Sequence, residues 1–404
     1  PICQIWLMDV TGGEAWLIPT KQPVQGALTV APAGNRIFFQ GSAFSKGDDW
    51  IPYPGCPESD RERALDQATR RLKPDKDKAR DPDKPKPNDI KVLTRLQYSL
   101  DGVGYFGDMR TQIFYLDIPA APSSTPSKPD DSDEVQVTSS DYDHSGATLS
   151  PDGKYAIVSA LRRDDADYWQ KSDLWLFQVE PAADAGSAGN ISQSQGPWLL
   201  YDGPGPTHNP VWSPSGKWLA FTGHDSKRGV TTRTDLWVLD VEGFIKSIEA
   251  GVVPSPLSQE QVLNLTGEID RALLRGVPRP EPSYGGATRP AVWRDEDLYF
   301  GLVNHGETCI YRAFQEPDKV RSPKEHSQAK GTESTHGAWT LQRILGETGT
   351  AISGFHIGAK TLAYQASDPI TPEDLYVARA DRVDDDVAHG QSSLLRGKAL
   401  GSNS

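Results

Sequence analysis

HNPVWSPSGKWLAF, residues 208–221, sets a Pro-Ser-Gly turn between two short apolar runs. Proline presets φ at the first corner of a tight turn, and glycine accepts the positive φ that a β-branched residue resists. The stretch therefore reads as a strand entry, a turn and a second strand. The same order returns in LSPDGKYAIVSA from Leu149, VAPAGNRIFFQG from Val30, VWRDEDLYFGLV from Val292 and FHIGAKTLAYQA from Phe355. A second element follows or precedes these copies: DLWLFQ from Asp173, DLWVLD from Asp235, TCIYRA from Thr308, DLYVAR from Asp374, TQIFYLD from Thr111 and QIWLMD from Gln4. Each pairs an aliphatic with an aromatic residue. Pro151 and Pro214 are 63 residues apart, as are Asp295 and Gly358; a loop stretches the interval from 214 to 295 to 81, and an insertion stretches that from Pro32 to Pro151 to 119.

A repeat of short strands with aromatic residues at fixed places and no helical period predicts an all-β chain, a β-propeller of four-stranded blades. One blade cannot cover both faces of its own sheet, so neighbours stack. Trp175 and Trp237 are expected between adjacent blades. A β-sandwich is the rival architecture, but sandwiches rarely repeat one unit five times. The units fall at about 22–140, 141–200, 203–268, 283–346 and 349–380, with residues 3–20 supplying the end of another. The last is expected to lack its outer strand. Closed propellers take about four to eight blades. Five full blades plus partial ones thus predict a truncated ring of six to eight. The propeller is assigned to residues 1–380, and 381–404 to a tail or linker.

Composition narrows the function. With 42 basic and 55 acidic residues the net charge is −13, which argues against a nucleic-acid face. No stretch has the length of a membrane span. Cys3, Cys56 and Cys309 are far apart, without metal-ligand spacing, and read as thiols of a reducing, cytoplasmic compartment. Secretion is the alternative if a leader precedes Pro1; the sequons at Asn190 and Asn264 would matter only then. The opening PICQIWLMDV starts inside a strand without Met, as a fragment does. Residues 57–90 are a charged insertion with too little apolar material to order itself; its mixed signs argue against a nucleic-acid arm. Residues 121–134 and 322–337 read as polar loops. No cofactor or metal motif is present.

The order KVLTRLQYSLDGVGYFGDMRTQIFYLDI from Lys91, then DYDHSGATLSPDGKYAIVSALRRDDADYWQKSDLW from Asp141, resembles the propeller of the prolyl oligopeptidase family of serine peptidases, in its acylaminoacyl-peptidase and dipeptidyl-peptidase V branch. GPTHNPVWSPSGKWLAFTGHD and YGGATRPAVW continue the likeness over about residues 3–380. The resemblance implies an α/β-hydrolase partner domain carrying Ser, Asp and His, and short peptides as substrates. Its Gly-x-Ser-x-Gly elbow occurs nowhere in the 404 residues. What the resemblance implies is therefore a substrate-gating propeller, inactive by itself. The alternative is a stand-alone TolB-like propeller that binds a protein or small ligand. A second copy of the chain is a further candidate partner.

Six residues are candidates for substrate binding or for lining a central channel. His144 and Asp143, in DYDHSG, stand at a blade entry, where they could hold a substrate terminus or simply a neighbouring blade. His208 is read as repeating that place in the next unit, which favours scaffolding. Arg110, after a Gly-rich loop, could reach a carboxylate or pair with Asp101 or Asp108. Tyr105 could stack on substrate or pack on the insertion. Arg289 stands at a later blade entry.

Overall fold

The structure is a computed structural model. It describes residues 4–9, 12–31, 33–44, 95–100, 104–105, 109–119, 132–179, 196–269, 271–273, 291–304, 307–315, 332–336, 339–346, 349–358, 361–379 and 398–399. The insertion 57–90 and most of loop 121–134 lie outside these residues. The chain divides into two compact units, one running to Ser145 and including Ala160–Gln170, the other holding Gly146–Ser159 and the sheets after Lys171.

In the first unit, β1 (Ile5–Leu7) and β2 (Trp16–Ile18) form a two-stranded sheet. A four-stranded antiparallel sheet follows, built from β3 (Gln25–Val30), β4 (Arg36–Phe44), β7 (Met109–Asp117) and β8 (Val135–Gln136) in that order. The short pair β5 (Ser99–Leu100) and β6 (Gly104–Tyr105) lies between β4 and β7 in sequence. Strand alternation sends Ile37, Phe39, Phe114 and Leu116 to one face, where they bury against Ile5 and Ile18.

Four further sheets follow, all in the second unit except His144, Ser145 and Ala160 of the first of them. β9 (His144–Leu149), β10 (Tyr155–Ala160), β11 (Asp173–Gln178) and β12 (Trp198–Tyr201) make the second sheet. β13 (Thr207–Trp212), β14 (Trp218–Gly223), β15 (Asp235–Asp240) and β16 (Val262–Asn264) make the third. In the fourth, β17 (Ala272–Leu273) and β18 (Ala291–Arg294) both pair with β19 (Asp297–Asn304). β20 (Glu307–Gln315) follows; β22 (Trp339–Leu345) pairs with it and with β21 (Thr332–His336). The fifth is β23 (Ala351–Ile357), β24 (Thr361–Ser367), β25 (Asp374–Arg379) and β26 (Lys398–Ala399).

These are successive antiparallel blades of a β-propeller, at nearly the boundaries the repeat predicts. Two expectations are corrected. The fifth sheet does not lack its outer strand, because Lys398 and Ala399, in the segment read as a tail, pair with Val377 and Tyr376. Part of the loop 322–337 is strand: Thr332–His336 turns back on β22 and widens the fourth sheet.

The turns behave as their residues dictate. Gly34, Gly153 and Gly216 take φ of 71°, 73° and 78°, and in the fourth sheet Asp295 takes the left-handed corner at 51°. Adjacent sheets bury their facing side chains together. Leu174, Leu176 and Tyr155 of the second pack with Phe221, Trp237 and Leu239 of the third. Leu236 and Val238 of the third pack with Trp293, Phe300 and Tyr311 of the fourth. Ile310 and Leu345 of the fourth pack with Leu362 and Tyr364 of the fifth. Trp237 thus lies between blades as predicted, while Trp175 at the matching place is half-buried. The helix α1 (Glu242–Glu249) closes the outer side of the third sheet by burying Phe244. Among the described residues, no helix is long and apolar enough to cross a membrane.

Candidate functional site

The candidate residues that converge do so where the chain leaves the first sheet and enters the second. The segment 138–144 is fastened to β7. Ile113 N–H donates to Thr138 Oγ1 at 2.9 Å, and that hydroxyl donates to Gln112 Oε1 at 2.7 Å. Gln112 Nε2 donates to the carbonyls of Ser140 (2.9 Å) and Tyr142 (3.1 Å). Thr111 N–H donates to Asp143 Oδ1 at 2.6 Å. Asp143 is therefore occupied as a backbone clamp. A Thr at the end of the fourth strand is a repeated device: Thr266 Oγ1 accepts the Leu236 N–H at 2.9 Å in the third sheet.

On this clamp sits a network of three arginines and three aspartates. The buried Arg110 bonds Asp141 Oδ1 through Nε at 3.0 Å and donates to the Met109 carbonyl at 2.9 Å. Arg95 reaches the other oxygen of Asp141 at 3.2 Å and forks onto Asp167, with Nη2 at 2.6 Å and Nε at 3.0 Å. Such planar forks fix geometry as well as charge. The hydrogen bonds from Arg95 hold Asp167 below the usual carboxylate range. Arg162 Nη1 donates to Ser140 Oγ at 3.2 Å and to His144 Nε2 at 2.8 Å. Its guanidinium lies 5.7 Å from the centre of the Tyr142 ring, and the Tyr142 hydroxyl donates to Asp164 at 3.4 Å.

His144 is fully buried, and burial followed by the Arg162 charge drives its pKa down to about 3. The imidazole is neutral at ordinary pH and accepts from Arg162. Burial also lowers Arg162 and raises Tyr142.

Of the six candidates, the structure brings Arg110, Asp143 and His144 together. Arg110 pairs with Asp141; Asp101 and Asp108 lie outside the described residues. Tyr105 contributes backbone to β6, where it pairs with Ser99; its side chain lies outside the described residues. Arg289 also lies outside them. His208 does not repeat His144. Gly146 and Asn209, each five residues before the turn proline, share positive φ (65° and 49°), so Thr207 matches His144 and His208 matches Ser145. His208 is half-buried, with its carbonyl accepting from Thr222 Oγ1. The residues missed in the sequence are Arg95, Asp141, Arg162, Asp164 and Asp167. The charged run LRRDDADYWQ was the available signal for three of them.

A second polar group recurs as scaffold. Lys171 bridges Asp173 (3.1 Å) and Asp202, and Arg233 holds Asp235 at 2.8 Å, each cation two residues before the aspartate that opens the third strand. Burial pushes Asp173 up to about 6 despite Lys171. Asn264 spends its amide on Asp235. The neighbouring cleft, lined by Tyr201, Phe221, Trp237 and His224 among others, is shallow and open to solvent, with about 210 Å³ of empty space that includes that solvent.

No family model matches the chain, and no curated protein matches it. Among solved structures it is similar to an acylaminoacyl peptidase of Pyrococcus horikoshii (13% identity, 93% of this chain and 40% of that one, TM-score 0.46). It is also similar to a puromycin-hydrolyzing peptidase of Mycobacterium tuberculosis (10%, 98% and 41%, TM-score 0.49). A third is the β-propeller domain of the Trilobed protease from Pyrococcus furiosus (10%, 99% and 90%, TM-score 0.35). The chain spans about 40% of the length of the first two.

Proposed function

We propose that the chain is the substrate-gating propeller of a serine exopeptidase or oligopeptidase that acts on short peptides, with an α/β-hydrolase domain as its partner and no hydrolytic activity of its own. The observation that carries this reading is the Arg95–Asp141–Arg110–Arg162–His144 network. It is built from the segment whose motifs resemble the prolyl oligopeptidase propellers, and it concentrates fixed charges of both signs at a blade entry. Fixed guanidinium and carboxylate groups suit the two ends of a short peptide, which carry opposite charges. The blades restrict access and the network orients what enters; the partner domain would supply the nucleophile, its base and the oxyanion donors. No such set is encoded here, since the sequence lacks the nucleophile elbow.

The test has two arms. Purified chain is incubated with chromogenic aminoacyl, acylaminoacyl and dipeptidyl substrates and with a fluorophosphonate probe. No turnover and no labelled serine are expected, and specific labelling would overturn the reading. Binding of a fluorescent tripeptide is then measured for the chain and for Arg162→Met. Saturable binding weakened at least tenfold by the substitution supports a peptide gate; absence of binding removes the gate's peptide specificity.

A further inference from the structure

Beside the ion-pair network the fold holds three apolar side chains in place without burying them. Leu96, Tyr168 and Trp169 are 60%, 77% and 47% exposed. Leu96 follows Arg95 in the chain, and Tyr168 and Trp169 follow Asp167. Arg95 binds one oxygen of Asp167 at 2.6 Å, and the other oxygen accepts the Leu96 N–H at 2.8 Å, so both segments close on one carboxylate. The turn Ala166–Tyr168 is fixed by its own backbone: Tyr168 N–H donates to the Asp165 carbonyl at 3.0 Å and Trp169 N–H to the Ala166 carbonyl at 3.1 Å. The Trp169 indole N–H donates to Asp165 Oδ2 at 2.8 Å, and the Arg163 guanidinium stands over the ring at 5.0 Å. Apolar side chains pinned at the surface suit a contact site, and rings ordered in advance lose little entropy when a ligand settles on them. The charges beside them are unequal. Arg163 is engaged by Asp165, and Arg95 by Asp141 and Asp167. Asp164, in the same segment, is exposed and accepts from the Tyr142 hydroxyl at 3.4 Å; among the described residues no lysine or arginine pairs with it.

We infer that this surface is a specificity subsite for a peptide that carries a cationic group beside a bulky apolar side chain, the cation on Asp164 and the side chain on Leu96, Tyr168 and Trp169. The inference rests on the peptide-gate reading and adds the ligand class to it. Aromatic rings give the apolar side chain a large contact area, and the carboxylate without a cation sets the sign of the charge that complements it. An amino terminus and a lysine side chain present the same charge, and the peptides below separate them.

The full chain is titrated calorimetrically with four unlabelled peptides: Phe-Gly-Gly, Gly-Gly-Gly, acetyl-Phe-Gly-Gly and acetyl-Phe-Lys-Gly. Phe-Gly-Gly is expected to bind at least about tenfold more tightly than Gly-Gly-Gly, and the double variant Tyr168→Ser, Trp169→Ser should lose that preference. Acetylation removes the positive charge and should weaken binding at least about threefold in the native chain, with no such loss in Asp164→Asn. Affinity regained by acetyl-Phe-Lys-Gly supports the inference with a side-chain cation; affinity not regained supports it with the amino terminus as the cation. Circular dichroism confirms that the variants, all at exposed positions, are folded. Equal binding of Phe-Gly-Gly and Gly-Gly-Gly overturns the inference, as does a preference that survives the double variant or an acetylation effect that survives Asp164→Asn. In those cases the peptide-gate reading stands if binding still falls in Arg162→Met. Binding of none of the four peptides overturns both.

Discussion

Arg162 donates a hydrogen bond to Nε2 of His144 across 2.8 Å, and the imidazole that accepts it is fully buried. A protonated imidazole could not accept, and its charge would face the guanidinium without solvent to screen it. The pair is stable only with His144 neutral, which agrees with a pKa driven down to about 3.

Acid should therefore loosen this network in a defined window. An unfolded histidine titrates near 6.5, so between about 6.5 and 3 the unfolded chain binds a proton that the folded chain refuses. The contribution of His144 is fully present above the upper value and is lost as pH falls toward the lower. In His144→Gln the side-chain amide oxygen can still accept from Arg162, but it cannot titrate. Thermal midpoints of both proteins measured from pH 8 to pH 4 should fall together down to about 6.5, and below that the native protein should lose stability faster. Parallel curves over the whole range would mean that His144 is protonated in the folded state.

Arg110 is the buried member of the ion-pair network, and Asp141, its partner, keeps Arg95 as a second contact. Arg110→Met removes the charge but keeps the apolar stem. Breaking a fully buried pair costs about 3–5 kcal/mol; Asp141 is a third exposed and still held by Arg95, so about 2 kcal/mol is expected here. Arg163→Met, next to the network but bonded only through the exposed Asp165 and Trp169 among the contacts seen, should change the denaturation midpoint by less than about 0.5 kcal/mol. Equal effects would show that the network contributes nothing beyond surface charge.

The blades were legible because their signals are local. A turn glycine and a period-two strand are written within a dozen residues, as in Gly216 and WLAFTG, and nothing distant overrides them. The fourth strand of the last sheet was illegible because Lys398 and Ala399 form it by pairing with residues 21 and 23 positions earlier, without an apolar run of their own. The site was half legible for the same reason. His144, Asp143 and Arg110 stand beside recognisable strand entries. Arg95 and Asp167 meet across 72 residues, and no spacing announces a bidentate pair formed by loops. The false equivalence of His208 with His144 came from matching histidines instead of matching the left-handed residues that set the register.

That register can be tested at Gly146 and Asn209. Both take positive φ, and an added Cβ at Gly146 would stand 3.2 Å from Pro210 Cδ of the next sheet's entry. Gly146→Val meets both the backbone penalty and the close contact, and should cost at least about 2 kcal/mol. Asn209→Gly keeps the conformation available and should be within about 0.5 kcal/mol of the parent. Chemical denaturation of the two variants checks this, and a tolerated valine at 146 would mean that the entries of the second and third sheets do not interlock as described.

Trp237 tests the packing of the blades themselves. It is 8% exposed, stacks on Phe221, and donates its indole N–H to the Gly223 carbonyl at 3.1 Å. It sits in the shared core of the second and third sheets with Leu174, Leu176 and Tyr155. Truncation removes its transfer energy, leaves a cavity between two sheets and removes the indole's hydrogen bond to the Gly223 carbonyl, for a loss of about 3–5 kcal/mol. Because each sheet leans on its neighbours, the loss should be felt in both and should appear as one cooperative shift of the unfolding curve. Trp169 is 47% exposed and among the described residues bonds Asp165 through its indole N–H and lies under Arg163. Trp169→Ala should therefore cost less than about 1 kcal/mol. Urea unfolding of the two variants, followed by circular dichroism, separates the cases. A small loss at Trp237 would mean that the aromatic of DLWVLD does not join one blade to the next, and the repeat begun at HNPVWSPSGKWLAF would lose the contact that makes its copies stack.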